Sequence, residues 1–129
     1  MNRKQAHAAI LLGPVILLGL STRSFPGIWP DAVATYGGDT LWAVALVLAL
    51  RWFRHTWGLG RLAAVAAGIA VCIELTQLWH PPWLDALREY QLCALVLGHW
   101  FVWSDLVCSA AGIGLGLGCV KVSERLQAA

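Results

Sequence analysis

Residues 62–79 read LAAVAAGIAVCIELTQLW, an apolar run that starts after Arg61 and stops just before the pair Pro81 and Pro82. A helix gains about 1.5 Å per residue, so a run of this length approaches the thickness of the apolar interior of a bilayer. Proline lacks the N–H that would continue the helix and restricts the residue before it, which ends the run. Glu74 sits inside this segment and Gln77 follows one turn later. The segment is therefore read as a transmembrane helix over about 61–79 that carries a polar patch on one face.

The rest of the chain repeats the pattern. Of 129 residues, 59% are apolar and only 12% charged, about half the charged share of an ordinary soluble domain. Polar residues bunch between apolar runs, which excludes a soluble globular domain. Trp29, Trp52, Trp57, Trp79, Trp83 and Trp100, six of the eight tryptophans, lie at or near the ends of those runs, where interfacial belts place them. A formal charge of +2 with scattered basic residues makes no nucleic-acid stripe.

A first helix is predicted over about 7–20, behind Arg3 and Lys4. It is short, at roughly 21 Å, and is read as an uncleaved span because no Ala-x-Ala site follows it. Pro26, Gly27, Pro30, Gly37 and Gly38 predict a loop from Ser21 to Gly38. A second helix then opens on Asp39 or Thr40, runs over about 40–53, and closes on Arg51, Arg54 and His55. Residues 83–97 carry Asp85, Arg88, Glu89 and Gln91 in their first half and are expected to lie in the interface or re-enter it. A last helix covers about 101–120. The predicted fold class is all-α: a polytopic membrane protein, one integral-membrane domain over 1–129, with four transmembrane helices and a short interfacial or re-entrant helix between helices 3 and 4.

Four spans put Arg3, Lys4, Arg51, Arg54, Arg61, Lys121 and Arg125 on one side and Arg23 and Arg88 on the other. By the positive-inside rule both termini are expected in the cytoplasm. Asp31, Asp39, Asp85, Glu89 and Asp105 then fall on the outer side.

A charge at the bilayer centre costs roughly 2.5 to 3.5 kcal/mol on insertion scales, so Glu74 has to be protonated, paired or wet. Gln77 at i+3 shares its face. Asp105, Ser109, Gly112 and Gly116 form one stripe on the last helix, with small residues that permit close approach. The stripe predicts tight packing of helices 3 and 4, Glu74 brought toward Asp105, and Arg88 as their counter-charge. The plainer readings are interhelical hydrogen bonds for Glu74 and Gln77, a helix cap for Asp105 and a snorkelling interfacial side chain for Arg88. Gly112, Gly114, Gly116 and Gly118 give overlapping GxxxG matches, a packing signal. Cys72, Cys93, Cys108 and Cys119 have no ligand spacing and are read as small hydrophobes; His80 and His99 lack the spacing of a metal site, and no metal or cofactor is expected.

Glu74-x-x-Gln77, Leu87-Arg88, and the block Leu97-Gly98-His99-Trp100-Phe101-Val102-Trp103-Ser104-Asp105-Leu106 resemble a family of small bacterial membrane proteins catalogued as domain of unknown function 2809. Tyr36-Gly37-Gly38-Asp39-Thr40-Leu41-Trp42 resembles that family's block at the start of the second helix. A looser similarity is to VanZ-like proteins, although Ser109 stands where those usually carry asparagine. The resemblance implies a bacterial inner membrane and a set of positions: Asp39, Glu74, Gln77, Arg88 and Asp105. These are the expected ligand-binding residues, in an outward-facing site for the head group of an envelope lipid or amphiphile. Two other functions are weighed beside it. One is an accessory or structural subunit with a partner membrane protein or a second copy; the other is a membrane enzyme with Glu74 and Asp105 as an acid and base pair, with no nucleophile or metal motif beside them.

Overall fold

Every apolar run forms a helix, and most of the helices extend well beyond the runs. The computed structural model describes residues 1–129, as α1 (Arg3–Ser24), α2 (Asp31–Phe53), α3 (Leu59–Gln77), α4 (Pro82–Arg88), α5 (Gln91–Leu97) and α6 (Trp103–Ala128). α1, α2, α3 and α6 are each long and apolar enough to cross a membrane. The shortest, α3 with 19 residues, reaches roughly 28 Å, close to the thickness of a bilayer core. The chain is an all-α polytopic membrane protein.

Three expectations about element limits need correction. The loop from Ser21 to Gly38 is confined to a short turn. α1 continues to Ser24, a single 3-10 turn covers Pro26–Ile28, and α2 opens at Asp31 behind Pro30, so it starts well before Asp39. Proline breaks the chain here but the glycine pair does not. Gly37 and Gly38 lie inside α2, where the end of α1 crosses them: a Cβ on Gly38 would stand 2.9 Å from Arg23 Nε. Likewise, residues 83–97 form two short helices rather than one segment, and α6 runs past Val120 to Ala128. At the end of α5, Gly98 has φ +65° and ψ −175°, a backbone conformation open essentially to glycine alone.

α2 is the centre of the bundle, with α1 and α6 as its main neighbours, while α3 packs chiefly on α6 and α5 lies against α3. Ala43, Val44, Val47 and Leu48 of α2 meet Leu62, Ala66 and Ala70 of α3 and Ile113 and Val120 of α6 in one core. The α6 stripe does face inward, but its glycines meet a different partner from the one expected. Gly112 abuts the Thr40 carbonyl and Ala43, and Gly116 abuts Val47, so both pack on α2 rather than on α3. Lipid tails are as apolar as leucine, so helices in a membrane associate through such close backbone approach. Ile10, Leu17, Val107 and Leu115 point outward, as lipid-facing side chains do.

One end of the bundle is tied by ions. Arg51 is buried and bridges Glu124, which also pairs with Lys4 at 3.2 Å. Arg51 also donates to the Trp57 carbonyl, and the guanidinium groups of Arg54 and Arg61 lie over the Trp57 ring. Contacts of Lys4 with Glu124 and of Gln5 with the Trp52 carbonyl hold both termini at this end.

Candidate binding site

At the opposite end, four helices and a short one converge on a cavity of about 40 Å³. Asp39 reaches it from α2, Glu74 and Gln77 from α3, Asp105 and Ser109 from α6, Arg23 from the end of α1, and Leu95 and Val96 from α5. Glu74 and Gln77 are both buried, 7% exposed, because their shared face turns into the bundle. Asp105 and Ser109 lie one turn apart on α6 in its first two turns, above the glycines that draw α6 onto α2.

Two contacts frame the cavity. Arg23 donates from Nη2 to Asp39 Oδ1 at 2.9 Å and from Nη1 to the Leu95 carbonyl at 3.3 Å, which fastens the end of α1 to α2 and α5. Gln77 Nε2 donates to the Leu97 carbonyl at 3.0 Å and pins the end of α5 to α3. The carbonyl accepts, so the amide nitrogen has to face it and Gln77 Oε1 has to point elsewhere.

The acids are left underserved. Glu74 Oε2 and Gln77 Oε1 are buried and have no hydrogen-bond partner. No ion pair includes Glu74 or Asp105, and Asp39 lines the same cavity beside them. Three carboxyls thus share one guanidinium. A buried polar atom without a partner costs roughly 1–3 kcal/mol, and more when charged, so the arrangement opposes its own stability and favours whatever supplies donors.

Of the five expected site residues, Asp39, Glu74, Gln77 and Asp105 meet in this cavity and Arg88 does not. Arg88 is 3% exposed and binds Asp85 at 2.7 Å, the Thr76 carbonyl at 2.6 Å and the Trp79 carbonyl at 3.2 Å. It braces the end of α3 by adding a charged donor to the Thr76 carbonyl, which also accepts from the Trp79 N–H, and by holding the Trp79 carbonyl just beyond the helix. The expected role as counter-charge to Glu74 and Asp105 is therefore corrected, and Arg23 is the cation in the cavity. Sequence reading missed Arg23 because it stood at the edge of a predicted loop. The signal was nonetheless present, since Arg23 and Arg88 are the two basic residues on that side of the chain.

The Arg88 cluster lies outside the four spans and surrounds Asp85. His80 Nδ1 lies 2.9 Å from Asp85 Oδ1 and 3.2 Å from Arg88, and Glu89 and His99 share the surrounding cleft. The hydrogen bond from His80, followed by that from Arg88, holds the Asp85 carboxyl below its usual range. A carboxylate of lowered pKa stabilises the fold above its unfolded value and loses that contribution as pH falls through its folded value. Pepsin should therefore cut Asp85→Asn faster than wild type in α4 and α5 above about pH 4, and the difference should vanish as the pH is lowered further. Equal cutting at every pH would show that Asp85 does not hold this segment.

A four-span helical bundle with an acidic pocket at one end defines the class as a polytopic membrane protein. Residues 28–113, two thirds of the chain, match the family described as protein of unknown function (DUF2809), and the chain belongs to that family. The match takes in every residue of the cavity except Arg23. The looser similarity to VanZ-like proteins gains no support, and no solved structure matches the chain.

Proposed function

We propose that the protein binds the polar head group of a membrane amphiphile, with the head in the cavity of Glu74, Gln77, Asp39 and Asp105 and the apolar chain against the bundle. The observation that carries the reading is an apolar groove of about 140 Å³ between α1, α2 and α5 that adjoins the polar cavity. It is lined by residues such as Val15, Ile16, Leu20 and Leu41, and it shares Arg23, Trp42, Leu95 and Val96 with the cavity. A polar pocket with unpartnered oxygens that shares a wall with an apolar trough suits a molecule with a polar end and a chain. The positive-inside rule assigns the end with Arg3, Lys4, Arg51, Arg54 and Arg61 to the cytoplasm. The proposed setting is a bacterial inner membrane with both termini inside and the pocket in the outer half.

Native mass spectrometry of gently purified protein tests this. Wild type is expected to carry a defined adduct that Glu74→Gln and Asp105→Asn lose by about tenfold, the worth of one charge-assisted hydrogen bond. An adduct held equally by all three proteins would remove the reading.

A second reading, an accessory subunit, rests on the other face of α6. A Cβ on Gly114 or Gly118 would meet nothing within 4 Å, and both line an apolar groove of about 530 Å³ beside the exposed Cys119. A second copy seated through this glycine face would bring two Cys119 thiols together. Oxidative crosslinking in membranes is expected to trap a dimer that Cys119→Ala abolishes, and a monomer under the same conditions would count against the reading.

A further inference from the structure

We infer that the head group held in the cavity is a primary ammonium, an inference that rests on the amphiphile reading and names its ligand class. Donors and acceptors decide it. Gln77 spends its amide N–H on Leu97, and Arg23 spends two of its donors on Asp39 and Leu95. Glu74 and Gln77, both 7% exposed, line the cavity, and Glu74 Oε2 and Gln77 Oε1 are buried without a partner, with the Asp105 carboxyl outside any ion pair in the same lining. The amide oxygen is an acceptor, and so is the Glu74 carboxyl once it is ionised against a cation. A ligand that brought a phosphate or carboxylate into this space would add acceptors and negative charge to a site with three carboxyls and one guanidinium. A protonated primary amine brings three N–H donors and a positive charge, which matches both deficits.

Hydrogen bonding narrows the class further. A trimethylated ammonium has no N–H to give to the unpartnered oxygens.

Arg23 then occupies the place where a phosphate ester would follow the amine. Its side chain is 36% exposed at the junction of the polar cavity and the apolar groove, and a guanidinium has five N–H donors, of which two are used inside the protein. The sequence of environments is acidic pocket, guanidinium, apolar trough. An aminophospholipid presents ammonium, phosphate and acyl chain in that order, and a free amine presents the first of these alone.

The test is retention of defined molecules by the full-length protein, read by native mass spectrometry. The probes are phosphatidylethanolamine, the phosphatidylcholine and phosphatidylglycerol with the same acyl chains, and glycerophosphoethanolamine without chains. Phosphatidylethanolamine is expected to be held at least about tenfold better than the other two lipids, the value of one hydrogen bond to a charged group. That preference should disappear in Glu74→Gln. Glycerophosphoethanolamine held as tightly as the intact lipid would keep the ammonium and remove the chain from the groove. Equal retention of the three lipids, reduced together in Glu74→Gln, would overturn the ammonium and leave the head-group site standing. Retention of none, or retention insensitive to Glu74, would overturn both. The wild-type comparison among lipids needs no variant, so a misfolded Glu74→Gln does not shield the inference.

Discussion

Gly112→Ala is expected to destabilise the bundle by about 2–3 kcal/mol, the upper part of the range for overpacking a closed interface, whereas Gly114→Ala two residues away should be neutral. A methyl on Gly112 runs into the Thr40 carbonyl oxygen and lies 2.6 Å from Ala43 Cβ. The first obstacle is the backbone of α2, which cannot step aside as a side chain would, so α6 has to move off α2. Asp105 and Ser109 ride on the same helix, so the cavity should loosen as well. A methyl on Gly114 meets nothing, and alanine is the better helix former. Unfolding in a graded denaturing detergent measures both. A Gly112→Ala protein as stable as wild type would show that α2 and α6 do not approach through these glycines.

The second large effect separates two arginines that a reading of the chain places on the same side. Arg88→Ala should cost about 3 kcal/mol, because it strips a buried charged donor from the Thr76 and Trp79 carbonyls at the end of α3. Arg88→Lys should recover only part of this, since a single ammonium cannot reproduce the fork that reaches both carbonyls and Asp85. Arg23→Ala should behave in the opposite way. Its pair with Asp39 is one-third exposed on each side, so the loss of stability should be about 1 kcal/mol or less, while retention of the proposed amphiphile should fall. Measuring stability and adduct retention on both variants gives a crossed pattern. An Arg88→Ala protein that melts normally yet loses its adduct would reverse the assignment.

The sequence determined a good deal of this protein. Long apolar runs with tryptophan at their ends specify membrane helices because water and hydrocarbon sort side chains along the chain, one residue at a time. Pro81 and Pro26 follow the ends of α3 and α1, and Pro30 and Pro82 stand at the starts of α2 and α4, because the missing N–H is tolerated at a helix start and is a local property. Glu74 and Gln77 share a face by helical geometry alone, and an acid in an apolar span is visible without coordinates. Those features are all settled within a few residues of one another.

Contacts between distant segments were not legible in the same way. Gly37 and Gly38 read as a loop, and only the crossing of α1 over α2 explains why a glycine pair sits inside a helix. The glycine stripe of α6 announced a close neighbour but carried no record of which helix that would be, and α2 rather than α3 is the one. Arg88 and Arg23 have equal charge and the same side of the membrane, so nothing local distinguishes a brace at a helix end from the cation of the cavity. That choice depends on which carbonyls and carboxylates come within about 3 Å, a distance set by how α1, α2 and α5 stack. Residue type and spacing thus determined the spans and the acids, and tertiary packing decided their partners, because a hydrogen bond is fixed by position in space and not by order along the chain.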